Sequence, residues 1–194
     1  IRTSTFFNSS FADENMNVFG RIQRTFGKVR ASLNSSFNYS KINQFIQKIQ
    51  SLNEGFTQTY TPGIRTNFLV APNINIRYRY SITNNFQGDR QTKFITKSPS
   101  ARFDAYILKK ITIKSDYSYT LQEQVGGDSQ SFQIWNASIS YRKDKDSKWE
   151  YEAKGTNLLN IGSQVRNSAN NISVFNASTF IQPRFITLRA VYKL

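Results

Sequence analysis

The chain has 194 residues, 26 Lys and Arg against 12 Asp and Glu, a formal net charge of +14, and neither Cys nor His. That excludes disulfide frameworks, thiolate and imidazole metal sites and the Ser–His and Cys–His nucleophile pairs, leaving an enzyme only carboxylate, Lys or Tyr chemistry. Only 38% of the chain is hydrophobic, yet 14% is aromatic, with 16 Phe and 10 Tyr; this suits neither disorder nor an aliphatic globular core, but a fold whose polar face is as large as its apolar one.

The excess positive charge calls for an anionic partner, whether nucleic acid, a lipid surface or a solute. No run of 18 or more apolar residues occurs, so no transmembrane helix is encoded, and Ile1 to Ser10 lack a basic start followed by an apolar run.

Period-two alternation recurs from the N-terminus onward. A weak instance runs from Met16 to Phe26. From Val29, the residues Val29, Ala31, Leu33, Ser35, Phe37 and Tyr39 alternate with Arg30, Ser32, Asn34, Ser36, Asn38 and Ser40. Gly63 to Val70 is weak again. The pattern is cleanest from Ile74, where Ile74, Ile76, Tyr78, Tyr80 and Ile82 oppose Asn75, Arg77, Arg79, Ser81 and Thr83. Ala101 to Lys109 is another weak instance, followed by Ile113, Tyr117, Tyr119 and Leu121 set against Thr112, Lys114, Asp116, Ser118 and Thr120. Trp135, Ala137, Ile139 and Tyr141 alternate with Asn136, Ser138, Ser140 and Arg142. Trp149, Tyr151, Ala153 and Gly155 alternate with Glu150, Glu152, Lys154 and Thr156. The chain ends on Ile186, Leu188, Ala190, Tyr192 and Leu194 against Thr187, Arg189, Val191 and Lys193. Successive strand residues point to opposite faces, so each segment reads as a strand with one aromatic and aliphatic face and one polar face.

About nine strands are predicted, most of roughly 9 to 13 residues, the length a tilted strand needs to cross a bilayer. Short turns are expected near Gly27-Lys28, Pro72-Asn73, Lys109-Lys110 and Lys143 to Ser147. Longer polar links are expected at Lys41 to Gly55, Phe86 to Lys97, Gly126 to Gln130 and Ile161 to Asn171. Short turns on one side and long loops on the other match outer-membrane barrels. The predicted fold is therefore all-β, an antiparallel transmembrane β-barrel, with the apolar faces on lipid and the charged faces in a wet interior. Closure follows, because an open sheet edge in hydrocarbon leaves costly unpaired backbone groups. Tyr39, Tyr80, Tyr119, Trp135, Tyr141, Trp149 and Tyr192 fit interfacial girdles. A soluble antiparallel sandwich, or a fibre-forming or nucleic-acid-binding β protein that stacks bases on exposed rings, would also alternate.

On this register Arg30, Arg77, Arg79, Lys114, Arg142, Lys154, Arg189 and Lys193 face the lumen, with Asp104, Asp116, Glu150 and Glu152. They form either a basic wall that attracts anionic solutes or cross-strand pairs, such as Glu150 with Arg142, that only keep the interior wet; pairing is the simpler reading. Glu150 with Glu152, and Asp144 with Asp146, could in principle serve acid–base work or calcium, but Lys143 to Asp146 reads more simply as a solvated turn. Gln124 to Gln130 holds Gly126 and Gly127 without a following helix, so a phosphate-cradling loop is not supported. No catalytic activity, metal or cofactor is expected.

Gly155 to Asn160, "GTNLLN", resembles the Asn-Leu-Phe-Asp/Asn motif closing the penultimate strand of TonB-dependent outer-membrane receptors. Gln182 to Leu194, "QPRFITLRAVYKL", is similar to their last strand, which often begins with Pro-Arg or Gly-Arg. The Asn- and Ser-rich loop style looks most like the SusC-like barrels. The motif match covers about 40 residues. It departs at Leu194, where the family usually has an aromatic, and nothing here resembles the family's plug domain. That family closes with about 22 strands, so residues 1–194 are expected to be the C-terminal strands of one larger barrel domain. The resemblance implies nutrient import across the bacterial outer membrane. Outer-membrane lipid, the barrel assembly machinery, an energising periplasmic protein and a surface lipoprotein are the implied partners, and nucleic acid is not among them. Arg184, Ile186, Leu188, Tyr192 and Leu194 would form the closing strand and assembly signal. A structural or assembly-associated barrel, or a small complete barrel of about eight to ten strands, is the alternative.

Overall fold

The computed structural model describes residues 13–46, 49–69, 72–88, 90–144, 146–169 and 174–192. The strands are β1 (Glu14–Phe26), β2 (Val29–Ile46), β3 (Ile49–Thr66), β4 (Asn73–Gln87), β5 (Arg90–Ile107), β6 (Ile111–Gln124), β7 (Ser129–Arg142), β8 (Trp149–Thr156), β9 (Ser163–Ala169), β10 (Val174–Phe180) and β11 (Phe185–Tyr192). Nine of them form one antiparallel sheet in the order β1-β2-β3-β4-β5-β6-β7-β8-β11, and β9 with β10 makes a separate hairpin between β8 and β11. The order is an up-and-down meander, the topology of membrane barrels. Among the described residues the sheet is open, with β1 and β11 at its edges; the expected closure is not present between them.

The register makes the alternation continuous from strand to strand. One face carries the row Ala31, Ile64, Ile76, Ala101, Tyr117 and Trp135. Another row on that face runs Ala105, Ile113, Ile139, Ala153 and Leu188. These side chains have no second layer over them: Ile76 is 51% exposed, Ile139 48%, Ile186 70% and Leu188 79%, and only Phe94 and Ala105 are buried apolar residues among those described. A soluble sandwich would press this face against a second sheet. The main sheet is a single layer instead, which overturns the sandwich alternative.

The opposite face carries Ser, Thr, Asn, Gln and Arg. Its hydroxyls bond across strands, as between Thr59 Oγ1 and Ser81 Oγ at 2.9 Å and from Ser98 Oγ to Thr120 Oγ1 at 3.2 Å. Hydrogen-bonded rows climb steadily around the sheet. The row holding Thr25 and Arg30 starts beside the Gly27-Lys28 turn and reaches Asn136 well away from the Lys143–Ser147 turn. Such stagger is the strand tilt that a barrel wall requires.

The strands are longer than expected. β2, β3 and β5 run 18 residues each, and the links expected at Lys41 to Gly55 and Phe86 to Lys97 are strand for most of their length. Ile161 to Asn171 likewise contains β9. The reason lies on the outer face. Above the aromatics Tyr39, Tyr80 and Tyr119 that face turns charged, with Lys41 Nζ 3.5 Å from Glu14 Oε1 and Lys97 Nζ 2.8 Å from Glu123 Oε2. Beyond that line the apolar alternation fades and the backbone ladder continues without it, while the inner face there is close-packed, with Phe94 3%, Asn53 0% and Asn85 9% exposed. The outer-face stretch Val29 to Tyr39 is the part that matches a bilayer crossing of about 9–11 residues.

Turns at the other end are short, as expected at Gly27-Lys28, Lys109-Lys110 and Lys143 to Ser147. Gly27, Leu108 and Lys109 have φ of 58°, 52° and 55°, the left-handed conformation that reverses these strands. The turn expected at Pro72-Asn73 begins after Thr66, and Asn73 braces it by accepting from Phe68 N at 2.6 Å and donating to Phe68 O at 3.0 Å.

Ile139 and Ser138 test the two faces at one depth. Ile139→Lys should destabilise the protein folded into lipid vesicles by about 2–4 kcal/mol. Ser138→Glu, placed opposite Lys114 and Lys154 on the polar face, should be neutral or slightly stabilising. Equilibrium urea unfolding in vesicles measures both, and equal losses would contradict the face assignment.

Candidate functional site: the polar wall and the β8–β11 corner

The basic side chains expected on one face share it, Lys193 lying outside the described residues, but the register divides them. On β6 to β11 three of them stand opposite acids. Arg189 Nη2 lies 2.8 Å from Glu152 Oε2, Arg142 stands directly opposite Glu150, and Lys114 stands opposite Asp104. Lys154 pairs in register with Ser138 and Thr187. On β2 to β5 the picture differs. Arg30 lies directly opposite Arg65, and the same row continues through Asn75 to Arg102. Arg77 sits between Gly63 and Ser100, one row further along the strands, and Arg79 lies opposite Ser98. Among the described residues none of Arg30, Arg65, Arg77, Arg79 or Arg102 makes an ion pair.

Arg65 and Arg102 were not among the residues expected to form the wall. They occupy two of the three weaker alternating segments, and only the pairing of β3 with β2 and of β5 with β4 brings them beside Arg30 and Arg77. The acids considered for chemistry are otherwise engaged: Glu152 pairs with Arg189, and Asp144 Oδ1 accepts from Asp146 N at 3.0 Å within its turn.

The second feature is the corner at Gly155–Asn160. Asn157, at φ 50° and 1% exposed, is one of the most buried polar residues described. Its N–H donates to Asn136 Oδ1 at 2.9 Å, its Nδ2 donates to Ile161 O at 2.8 Å and Gln182 O at 3.0 Å, and its Oδ1 accepts from Ile161 N at 3.0 Å. Asn160, at φ 57°, accepts on Oδ1 from Arg184 N at 3.1 Å. Leu158 folds back over Gly155, where a Cβ would meet Leu158 Cδ2 at 2.5 Å. Asn tolerates the left-handed backbone that most L-residues resist, and its amide mimics a peptide group, so these positions suit a reversing strand end. Asn157 and Asn160 thereby fix where Gln182 and Arg184 lie and set the register in which Ile186 and Leu188 pair with Gly155 and Ala153. Tyr192 ends β11 against Trp149, with ring centroids 5.1 Å apart. Leu194 lies outside the described residues.

No protein-family model matches the sequence, and no curated protein matches it. Among solved structures, OmpT (in-vitro folded), an outer membrane protein of Vibrio cholerae, is similar over 93% of this chain and 55% of that chain, with a TM-score of 0.53 and 12% sequence identity. The chain thus spans about half the length of the structure it matches. The fold is that of an outer-membrane β-barrel, and the identity carries the likeness no further than fold.

If the corner sets the β11 register, Asn157→Ala should cost on the order of 1–3 kcal/mol through the buried groups it orphans, with further strain from the left-handed φ. Gly155→Val should also destabilise by displacing Leu158. Both are measurable by urea unfolding in vesicles; an Asn157→Ala variant as stable as the parent would contradict the role given to the corner.

Proposed function

We propose that this chain is part of the wall of a transport barrel in the bacterial outer membrane, of the TonB-dependent receptor type. One observation carries the membrane placement: the uncovered, largely apolar outer face of the nine-stranded sheet. Aqueous solvent would penalise so large a patch, whereas lipid is its natural solvent. The two open edges cannot rest in hydrocarbon, so β1 and β11 must pair with each other or with further strands. The receptor type is supported by the corner, where the segment resembling that family's penultimate-strand motif is hydrogen-bonded to the start of the segment resembling its last strand, from Asn157 to Gln182 and from Arg184 to Asn160.

On this reading lipid bathes the outer face and the barrel assembly machinery reads β11. The energising periplasmic protein acts from the short-turn side, and a surface lipoprotein meets the side where the strands outlast the membrane. The polar face lines the path of a nutrient and performs no catalysis.

Uptake by cells carrying the full-length protein, with the proton-motive force intact or collapsed, tests the proposal. Uptake that ceases on collapse supports it. Flux indifferent to energisation would mark a passive pore, and no flux at all would mark a structural barrel; either result overturns the receptor reading.

A further inference from the structure

We propose that the arginine row on the polar face of β2 to β5 binds a solute carrying a multiply charged oxyanion, such as a phosphate or sulfate group. The inference rests on the reading of that face as a wet lumen and goes beyond it in naming the chemistry of the ligand.

Arg30 and Arg65 are directly opposed Cα partners. Like charges in that position destabilise a sheet, and here no described carboxylate forms an ion pair with either. Elsewhere on the same wall the chain does place acids opposite its bases, at Glu152 for Arg189 and Glu150 for Arg142. Two acids border the row without an ion pair to it. Asp104, the register partner of Lys114, lines one hollow with Arg65, Arg77 and Arg102, and Asp116 lines another with Arg77 and Arg102; the hollow at Arg30 and Arg65 has no carboxylate in its lining. Asp116 is the partner of Arg102, but its Oδ2 accepts from Asn136 Nδ2 at 2.9 Å, and Asn136 is itself tied to the buried Asn157.

The space fits a small ligand. Three adjoining hollows, of about 260, 210 and 270 Å³, run along the row, with Arg65 common to the first two and Arg77 and Arg102 common to the last two. Guanidinium forks bind oxyanions with paired N–H donors, and a tetrahedral dianion offers enough oxygens for more than one fork. A single carboxylate would leave most of the row unneutralised. A nucleic-acid strand fits less well, because the aromatics of this region, Tyr78, Phe103 and Tyr117, lie on the opposite face and give bases nothing to stack on.

The test is equilibrium binding of pyrophosphate to the full-length protein in detergent micelles, compared with Arg65→Gln, Arg102→Gln, the double variant, and Arg24→Gln, whose side chain lies over the Phe26 ring on the outer face. Saturable binding is expected, weakened on the order of tenfold by each of the first two changes and untouched by Arg24→Gln. Pyrophosphate should raise the thermal stability of the wild type and leave the double variant unmoved, a readout that also verifies folding. Absence of saturable binding, as when an acidic polypeptide segment already neutralises the row, would overturn the proposal, and so would equal weakening by Arg24→Gln. Energised uptake by a protein that binds no pyrophosphate would refute this inference and leave the transport reading standing.

Discussion

Everything in this structure follows from the need to keep backbone N–H and C=O groups paired where water is absent. An antiparallel ladder does this between neighbours, and it leaves the side chains free to differ completely on the two faces. The rows from Ala31 to Trp135 and from Arg30 to Asn136 show how completely. They run side by side along the same strands, one of carbon and rings, the other of guanidinium, amide and carboxylate. A shift of one residue in any pair would exchange the two solvents for a whole strand, so the alternation also enforces the register.

The same constraint explains what the sequence made legible and what it hid. Ile74 to Thr83 announced itself because each side chain there has a solvent of its own. Asn43 and Thr92 gave no such signal: they stand beyond the Lys41–Glu14 and Lys97–Glu123 pairs, where the outer face has turned charged and the alternation fades. Alternation therefore reported the width of the membrane, not the length of the strand. It also reported nothing about cross-strand neighbours. Arg65 and Arg102 look like scattered bases until β3 and β5 are laid beside β2 and β4. Contacts between residues so far apart in the chain are set by the ladder, and no local pattern encodes them.

The corner was legible in a different way. "GTNLLN" stood out as a motif, but its reason is visible only in three dimensions: Gly155 makes room for Leu158, Asn157 satisfies donors and acceptors on three separate segments, and Asn160 anchors Arg184. Short polar residues at left-handed φ let the chain leave β8, form the β9–β10 hairpin and return to pair β11 with β8.

The corner and the arginine row are parts of one arrangement. Reading along the polar face from β2, the row passes Arg30, Arg65, Asn75 and Arg102, then Asp116 and Asn136, and the hydrogen bond from Asn157 N to Asn136 Oδ1 joins it to the corner. Asn136 accepts from the corner on one side and donates to Asp116 on the other. Asp116, the ladder partner of Arg102, is thereby tied to β7 as well. The hydrogen bonds that set the register of β11 therefore run on, through Asn136 and Asp116, to the arginine row of β2 to β5.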